Sequence, residues 1–122
     1  MNIYTSYFAN LRNLPSDVYP ISIARKTPKW FTGLSIKVLA PSFRLLNQYH
    51  SDGDTDRYTK DYNDEVLTFL YAPKLVQFLN VRSGGKDVVL LCYEAPDKFC
   101  HRHLVSDWLN RNGFKCQEYS SN

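Results

Sequence analysis

The chain has 122 residues, of which 43% are hydrophobic and 15% aromatic, and this composition excludes an intrinsically disordered protein. It contains no apolar run near the roughly 20 residues of a membrane span, and its first residues lack the basic and apolar regions of a secretory signal. The net charge is +3, with a balance of +5 over residues 1–50 and −2 over residues 51–122, so the N-terminal part either attracts an anionic partner or is a solvated basic face. We therefore expect one cytoplasmic domain over residues 1–122, with no membrane attachment.

Cysteine usage also bears on the cellular compartment. The chain has three cysteines, an odd count, and their spacing does not indicate a disulfide framework. We expect free thiols in a reducing compartment.

Strand and helix signals alternate along the chain. An early loop holds Lys29, Trp30 and Phe31, where Trp30 either stacks on a planar ligand or closes the edge of the core. The predicted elements are strands over residues 3–7, 20–25, 87–92 and 114–119, a helix beginning near Pro41, helices over residues 57–70 and 74–81, and a last helix capped at Pro96-Asp97 and ended by Gly113. This alternation predicts an α/β fold, a single three-layer domain with a small, mostly parallel sheet.

The loop before the second helix matches part of a calcium-binding pattern. Asp52, Asp54 and Asp56 alternate as in a calcium loop, but Arg57 and Asn63 stand where that loop needs glycine and glutamate. We therefore expect a solvated loop, with Thr55 or Asp56 as the helix N-cap.

Reactive side chains gather after the predicted central strand. Residues 88–91 are uniformly apolar, as in a strand covered on both faces, and in α/β sheets ligands bind beyond the carboxyl ends of such strands. The following residues offer thiol, carboxylate, imidazole and guanidinium groups: Cys92, Glu94, Cys100, His101 and Arg102. The sequence therefore predicts a site at this strand-to-helix connection.

Each of these residues has a structural alternative. In the first turn of a helix capped by Asp97, Cys100 is either a reactive thiol of lowered pKa or a small core residue. His101 is either a base or a hydrogen-bonded core histidine, and Arg102 either holds an anion or pairs with Glu94. Zinc ligation by cysteines and histidines in this region lacks paired ligand spacing, so we expect no metal and no cofactor.

The same residues carry a family resemblance. Leu90-Leu91-Cys92-Tyr93-Glu94 followed by Cys100-His101-Arg102 resembles the signature of the domain of unknown function 488 family, and residues 5–8, 23–25 and 39–41 resemble its small bacterial and phage branch. The resemblance implies a compact α/β domain but no particular reaction. The site it implies comprises Ser6, Arg25, Cys92, Glu94, Cys100, His101 and Arg102, with Ser6 beside the two arginines as an anion-binding residue.

Two functional hypotheses follow, and the residues alone do not decide whether the protein is an enzyme. In the first, an enzyme acts on a nucleotide, nucleobase or nucleic-acid end: Arg25, Arg102 and the helix N-terminus hold phosphate, Glu94 is nucleophile or general base, and Cys100 or His101 is the second catalytic group. In the second, a non-catalytic module binds nucleotide or single-stranded nucleic acid through its basic half and Trp30. A third hypothesis is a phage or bacterial protein-interaction protein.

Overall fold

The computed structural model describes residues 1–120, which form a mixed α/β domain around a five-stranded sheet. The strands are β1 (Ile3–Tyr7), β2 (Tyr19–Ser22), β3 (Leu34–Ser35), β4 (Val88–Cys92) and β5 (Cys116–Glu118), and the helices are α1 (Phe43–Asp52), α2 (Thr55–Glu65), α3 (Ala72–Ser83) and α4 (His101–Arg111). Short 3-10 helices cover Phe8–Asn13, Lys37–Leu39 and Leu67–Phe69.

All five strands run parallel, in the spatial order β3-β2-β4-β1-β5. The uniformly apolar strand β4 lies at the centre, and each of its five residues is buried, as the sequence predicts. Because the strands are parallel, their carboxyl ends meet at one edge of the sheet. The predicted α/β fold is confirmed, and the sheet is wholly rather than mostly parallel.

The two faces of the sheet are covered unequally. Val88 and Leu90 of β4 face a core cluster that includes residues of all four α-helices. Val89 and Leu91 face a smaller cluster built from Phe8, at the start of the first 3-10 helix, and from loop residues. One covering layer is therefore helical, and the other is a thin layer of irregular structure.

Several helix ends differ from the sequence predictions. The N-cap of α2 is Asp54, whose carboxylate accepts a hydrogen bond from the Arg57 amide at 3.0 Å, so the predicted caps Thr55 and Asp56 are wrong. The N-cap of α4 is Cys100 and not Asp97, because the chain first closes a turn in which the Lys98 amide donates to the Ala95 carbonyl at 3.0 Å.

Other elements also differ from the sequence predictions, among them β2, which ends at Ser22 and not at residue 25, and β5, which begins at Cys116 and not at residue 114. Helix α2 ends at Glu65, and a 3-10 turn replaces the last part of the predicted helix over residues 57–70. The two-residue strand β3 was not predicted, because so short an edge strand has no alternation to detect. Within residues 1–120, none of the helices combines the length and apolar character that crossing a membrane requires.

Candidate functional site

A cavity of about 430 Å³ opens at the carboxyl edge of the sheet. Strands β2 and β4 end beneath it, α1 and α2 form one wall, and the connection from β4 to α4 forms another. Residues from these elements line it, among them Ala24, Arg25, Lys26, Phe43, Tyr49, Tyr58, Cys92, Tyr93, Glu94, Lys98, Phe99, Cys100 and His101. The fold thus brings Arg25, Glu94, Cys100 and His101 of the predicted site to one cavity.

Cys92 and Cys100 are joined by a disulfide bond. Cys92 ends β4 and Cys100 caps α4, so the bond closes the base of the loop over residues 93–99. The free thiols expected from the sequence are therefore not found at these two positions, because the return of the chain at the start of α4 brings the two sulfur atoms together. Cys116 on β5 remains a buried free thiol, and burial raises its pKa.

The hydrogen bonds of His101 define which ring nitrogen carries its proton. The ring is buried, and Nε2 lies 2.8 Å from the carbonyl oxygen of Ile23. Because a carbonyl only accepts, Nε2 carries the proton in the neutral ring, and Nδ1, 3.8 Å from the Cys100 Sγ, presents a lone pair. Burial lowers the pKa of His101 to about 4, so the ring is neutral at physiological pH.

Arg102 is fully buried, and its donors are used within the protein. Nε and Nη2 donate to the two carboxylate oxygens of Glu118 at 3.0 and 2.9 Å, and Nη1 donates to the Glu94 carbonyl at 2.7 Å and to the Cys92 Sγ at 3.0 Å. The predicted anion-binding role of Arg102 is therefore revised, because the guanidinium already has a bidentate carboxylate partner. The alternative pairing with the Glu94 side chain is replaced by a bond to the Glu94 backbone.

Positive charge at the cavity comes instead from other residues. Arg25 lies at the rim, where its Nε donates to the Pro41 carbonyl at 2.9 Å and its guanidinium lies 5.7 Å from the centre of the Phe43 ring. Lys26 and Lys98 also line the cavity with exposed side chains. Of these, Lys98 was missed by the sequence analysis, because a lone lysine in a polar loop carries no pattern.

An aromatic cluster from α1, α2 and the connection before α4 lines part of the cavity. The rings of Tyr49, Tyr58 and Phe99 contact one another in pairs, with centroids 5.0–5.4 Å apart. Burial raises the pKa of the Tyr58 hydroxyl. Tyr58 stands at helical spacing from Tyr62 and Val66 in the sequence, which is typical of a core face, and neither Tyr49 nor Phe99 carries a sequence signal that distinguishes a cavity wall from core.

Besides Arg102, two predicted site residues do not line the cavity. Ser6 on β1 is buried, and its hydroxyl oxygen accepts a hydrogen bond from the Asn10 side-chain amide at 3.1 Å. Trp30 is 59% exposed, packs edge-on against Phe8, and lines a separate surface groove with Leu11 and Arg12. Trp30 is therefore not part of the core, and any ligand stacked on it would occupy a different surface.

Comparison with known proteins identifies the family. The family model DUF488-N3a, described as the "Active DUF488-N3 subclade", matches residues 5–113, a range that includes every cavity-lining residue. No curated protein and no solved structure gives a significant match to the chain. The signature after β4, the parallel α/β fold and the length of the matched region lead to one conclusion: the chain belongs to the DUF488 family.

Proposed function

We propose that this protein is an enzyme that acts on a nucleotide, a nucleobase or the end of a nucleic acid bound in the cavity at the carboxyl edge of the sheet. The observation that carries the proposal is the composition of that cavity, where an aromatic wall, a cationic rim and a cluster of reactive groups meet. Its volume of about 430 Å³ suits a small molecule of nucleotide size.

The walls of the cavity match the two halves of a nucleotide. A planar base would lie against the aromatic side chains of Phe43, Tyr49 and Phe99, since base–aromatic stacking is favourable for every base. A phosphate would meet the positive charges of Arg25 and Lys98, which both line the cavity. The basic N-terminal half of the chain adds a field that attracts such an anion.

Three reactive groups line the cavity. Glu94 would act as general base or nucleophile, and the neighbouring pair Cys100 and His101 would form the second reactive centre. The neutral ring of His101 presents its Nδ1 lone pair towards Cys100. Because Cys100 is bonded to Cys92, we expect the active form to be the reduced one. The description of the matching subclade as active supports catalysis.

A thermal-shift screen of the reduced protein tests the binding step. The ligands are nucleotides, nucleosides, inorganic phosphate and short oligonucleotides. Saturation at about one hundred times the dissociation constant adds roughly 2.7 kcal/mol of stability, which for a domain of this size raises the Tm by very roughly 10 °C. We expect the shift with a nucleotide to be lost in Lys98→Ala and kept in the matched control Lys29→Ala, which lies outside the cavity.

Turnover of the ligand so identified tests the catalytic step. Glu94→Gln keeps the size of the side chain but removes its basic group, so we expect activity to be abolished while the thermal shift remains. Unchanged turnover in this variant would contradict the role of Glu94. If instead only oligonucleotides shift the midpoint, and Trp30→Ala removes the effect, the exposed Trp30 surface is the binding site and the protein is a nucleic-acid binding module.

A further inference from the structure

Three potential metal ligands converge at the base of the cavity. The Sγ atoms of Cys92 and Cys100 and a ring nitrogen of His101 all lie within 4.8 Å of one another, and all three residues are buried. Zinc bonds of about 2.3 Å to sulfur and 2.0–2.1 Å to nitrogen, in tetrahedral geometry, separate a sulfur and a nitrogen ligand by about 3.5 Å. The observed separation of the Cys100 Sγ and His101 Nδ1 is 3.8 Å.

The surroundings of these ligands resemble the outer shell of a metal site. His101 donates Nε2–H to the Ile23 carbonyl, which leaves Nδ1 free to ligate, and metal-bound histidines are usually oriented by such a bond. Arg102 Nη1 lies 3.0 Å from the Cys92 Sγ, as a donor to that sulfur. Two buried thiolates are costly unless their charge is neutralised, and a divalent cation supplies equal and opposite charge.

We propose that the reduced protein binds one Zn²⁺ ion, or a similar thiophilic divalent cation, through Cys92, Cys100 and His101. All three residues line the cavity, and three protein ligands with one position left for water or substrate are the arrangement of a catalytic rather than a structural zinc site. Spacing along the sequence argues against zinc because the ligands are not paired in a motif. In the fold, however, the end of β4 lies against the first turn of α4, so the three ligands are close together without a spacing motif.

The chemistry requires reduction of the disulfide first. A dithiol supplies two electrons and two protons and becomes a disulfide itself, while Cys92 and Cys100 become two thiols. The cation then displaces both thiol protons and accepts one lone pair from His101 Nδ1. A catalytic role for the metal rests on the proposed function, in which Cys100 and His101 would act as its ligands. Metal binding itself does not depend on nucleotide binding.

Cobalt substitution tests the site without any substrate. The full-length protein is reduced with a phosphine, which becomes a phosphine oxide, and is then freed of metal and titrated with Co²⁺. We expect saturation at one equivalent, with thiolate-to-cobalt charge-transfer bands and the intense visible bands of a tetrahedral ion. These should vanish in Cys92→Ser and Cys100→Ser and weaken in His101→Asn. They should remain in Cys116→Ser, which removes a buried cysteine on β5.

Circular dichroism of each variant establishes that it is folded. A folded, reduced wild-type protein that gives no cobalt bands, or an octahedral spectrum, would overturn the proposal. So would bands that persist when Cys92 is replaced by serine. Because nucleotide binding is measured separately by thermal shift, failure of the metal site and failure of the nucleotide proposal are distinguished.

Discussion

The environment of His101 makes the stability of the protein depend on pH. Its pKa falls from 6.5 in the unfolded chain to about 4 in the fold, because burial disfavours the charged ring. Below pH 6.5 the unfolded state therefore binds more protons than the folded state. The stabilising effect of the neutral ring is complete above pH 6.5 and is lost as the pH falls towards 4.

This shift leads to a prediction for unfolding experiments. Between pH 6.5 and 4, the wild-type protein should lose up to about 3 kcal/mol more of its free energy of unfolding than the His101→Gln variant. Denaturant unfolding at several pH values measures the difference. His103, whose pKa is also lowered by burial, is present in both proteins and does not contribute to the comparison. Parallel pH profiles for the two proteins would contradict the assignment.

At this scale, the sequence predicted which residues come together at the cavity better than it predicted the contacts that they make. Cys100 and His101 were placed at a site because thiol and imidazole side chains follow a buried strand. For Arg102 the sequence suggested an anion or Glu94 as the partner; the observed partner Glu118 lies 16 residues further along the chain, and local spacing gives no sign of that contact. The disulfide was not predicted, because a count of cysteines does not reveal which of them the fold brings together.

At the scale of elements, the Arg102–Glu118 pair fastens α4 to β5. The Arg102 side chain has no exposed surface, and Thr5 on β1 donates a further hydrogen bond to Glu118 Oε1 at 2.6 Å. The Glu118 carboxylate thus connects β1, α4 and β5, and the same Arg102 side chain contacts the Cys92 sulfur.

Breaking this pair should destabilise the protein strongly. Glu118→Gln leaves the buried guanidinium without its counter-charge and with one acceptor fewer, and Arg102→Ala leaves the carboxylate without its bidentate partner, so we expect a loss of about 3–5 kcal/mol in the free energy of unfolding. Arg102→Lys should not restore stability, because a lysine cannot form the bidentate contact. Lys60→Ala, which breaks the exposed Lys60–Asp64 pair on α2, is the matched control and should leave the unfolding midpoint nearly unchanged.

The elements themselves were largely predictable, and their ends were not. Strand β1 has the predicted bounds, and the apolar run of β4 gave its central position, because periodicity and burial agree there. The start of α4 was misplaced by several residues, since Pro96-Asp97 has the composition of a cap but lies in a separate turn. When two residues that could cap a helix lie a few positions apart, the sequence does not show which of them begins the helix.

At the scale of the whole molecule, the unequal covering of the sheet predicts unequal tolerance to mutation. Leu90 and Leu91 are adjacent on β4 and both fully buried, but Leu90 faces the four-helix side and Leu91 the irregular side. The cost of a cavity depends on how far its surroundings can relax into it. Rigid helices relax less than loops.

The pair Leu90→Ala and Leu91→Ala tests this idea with matched chemistry. We expect Leu90→Ala to lower the free energy of unfolding by about 4–5 kcal/mol and Leu91→Ala by about 2–3 kcal/mol. Denaturant unfolding of the two variants measures both values. Equal losses, or a larger loss for Leu91→Ala, would show that the irregular layer is as firmly packed as the helices.

The position of β5 has a consequence for the order in which this protein is made. Glu118 lies in the strand that leaves the ribosome last among the described elements, whereas Arg102 and the strand beneath it are synthesised earlier. A nascent chain that has not yet reached residue 118 therefore has no carboxylate partner for the arginine behind the cavity. Cys92 and Glu94, the two cavity residues that Arg102 contacts, therefore reach their native arrangement only after β5 has been translated. Ribosome-bound chains stalled before that point should be cleaved by proteases in the α4 region.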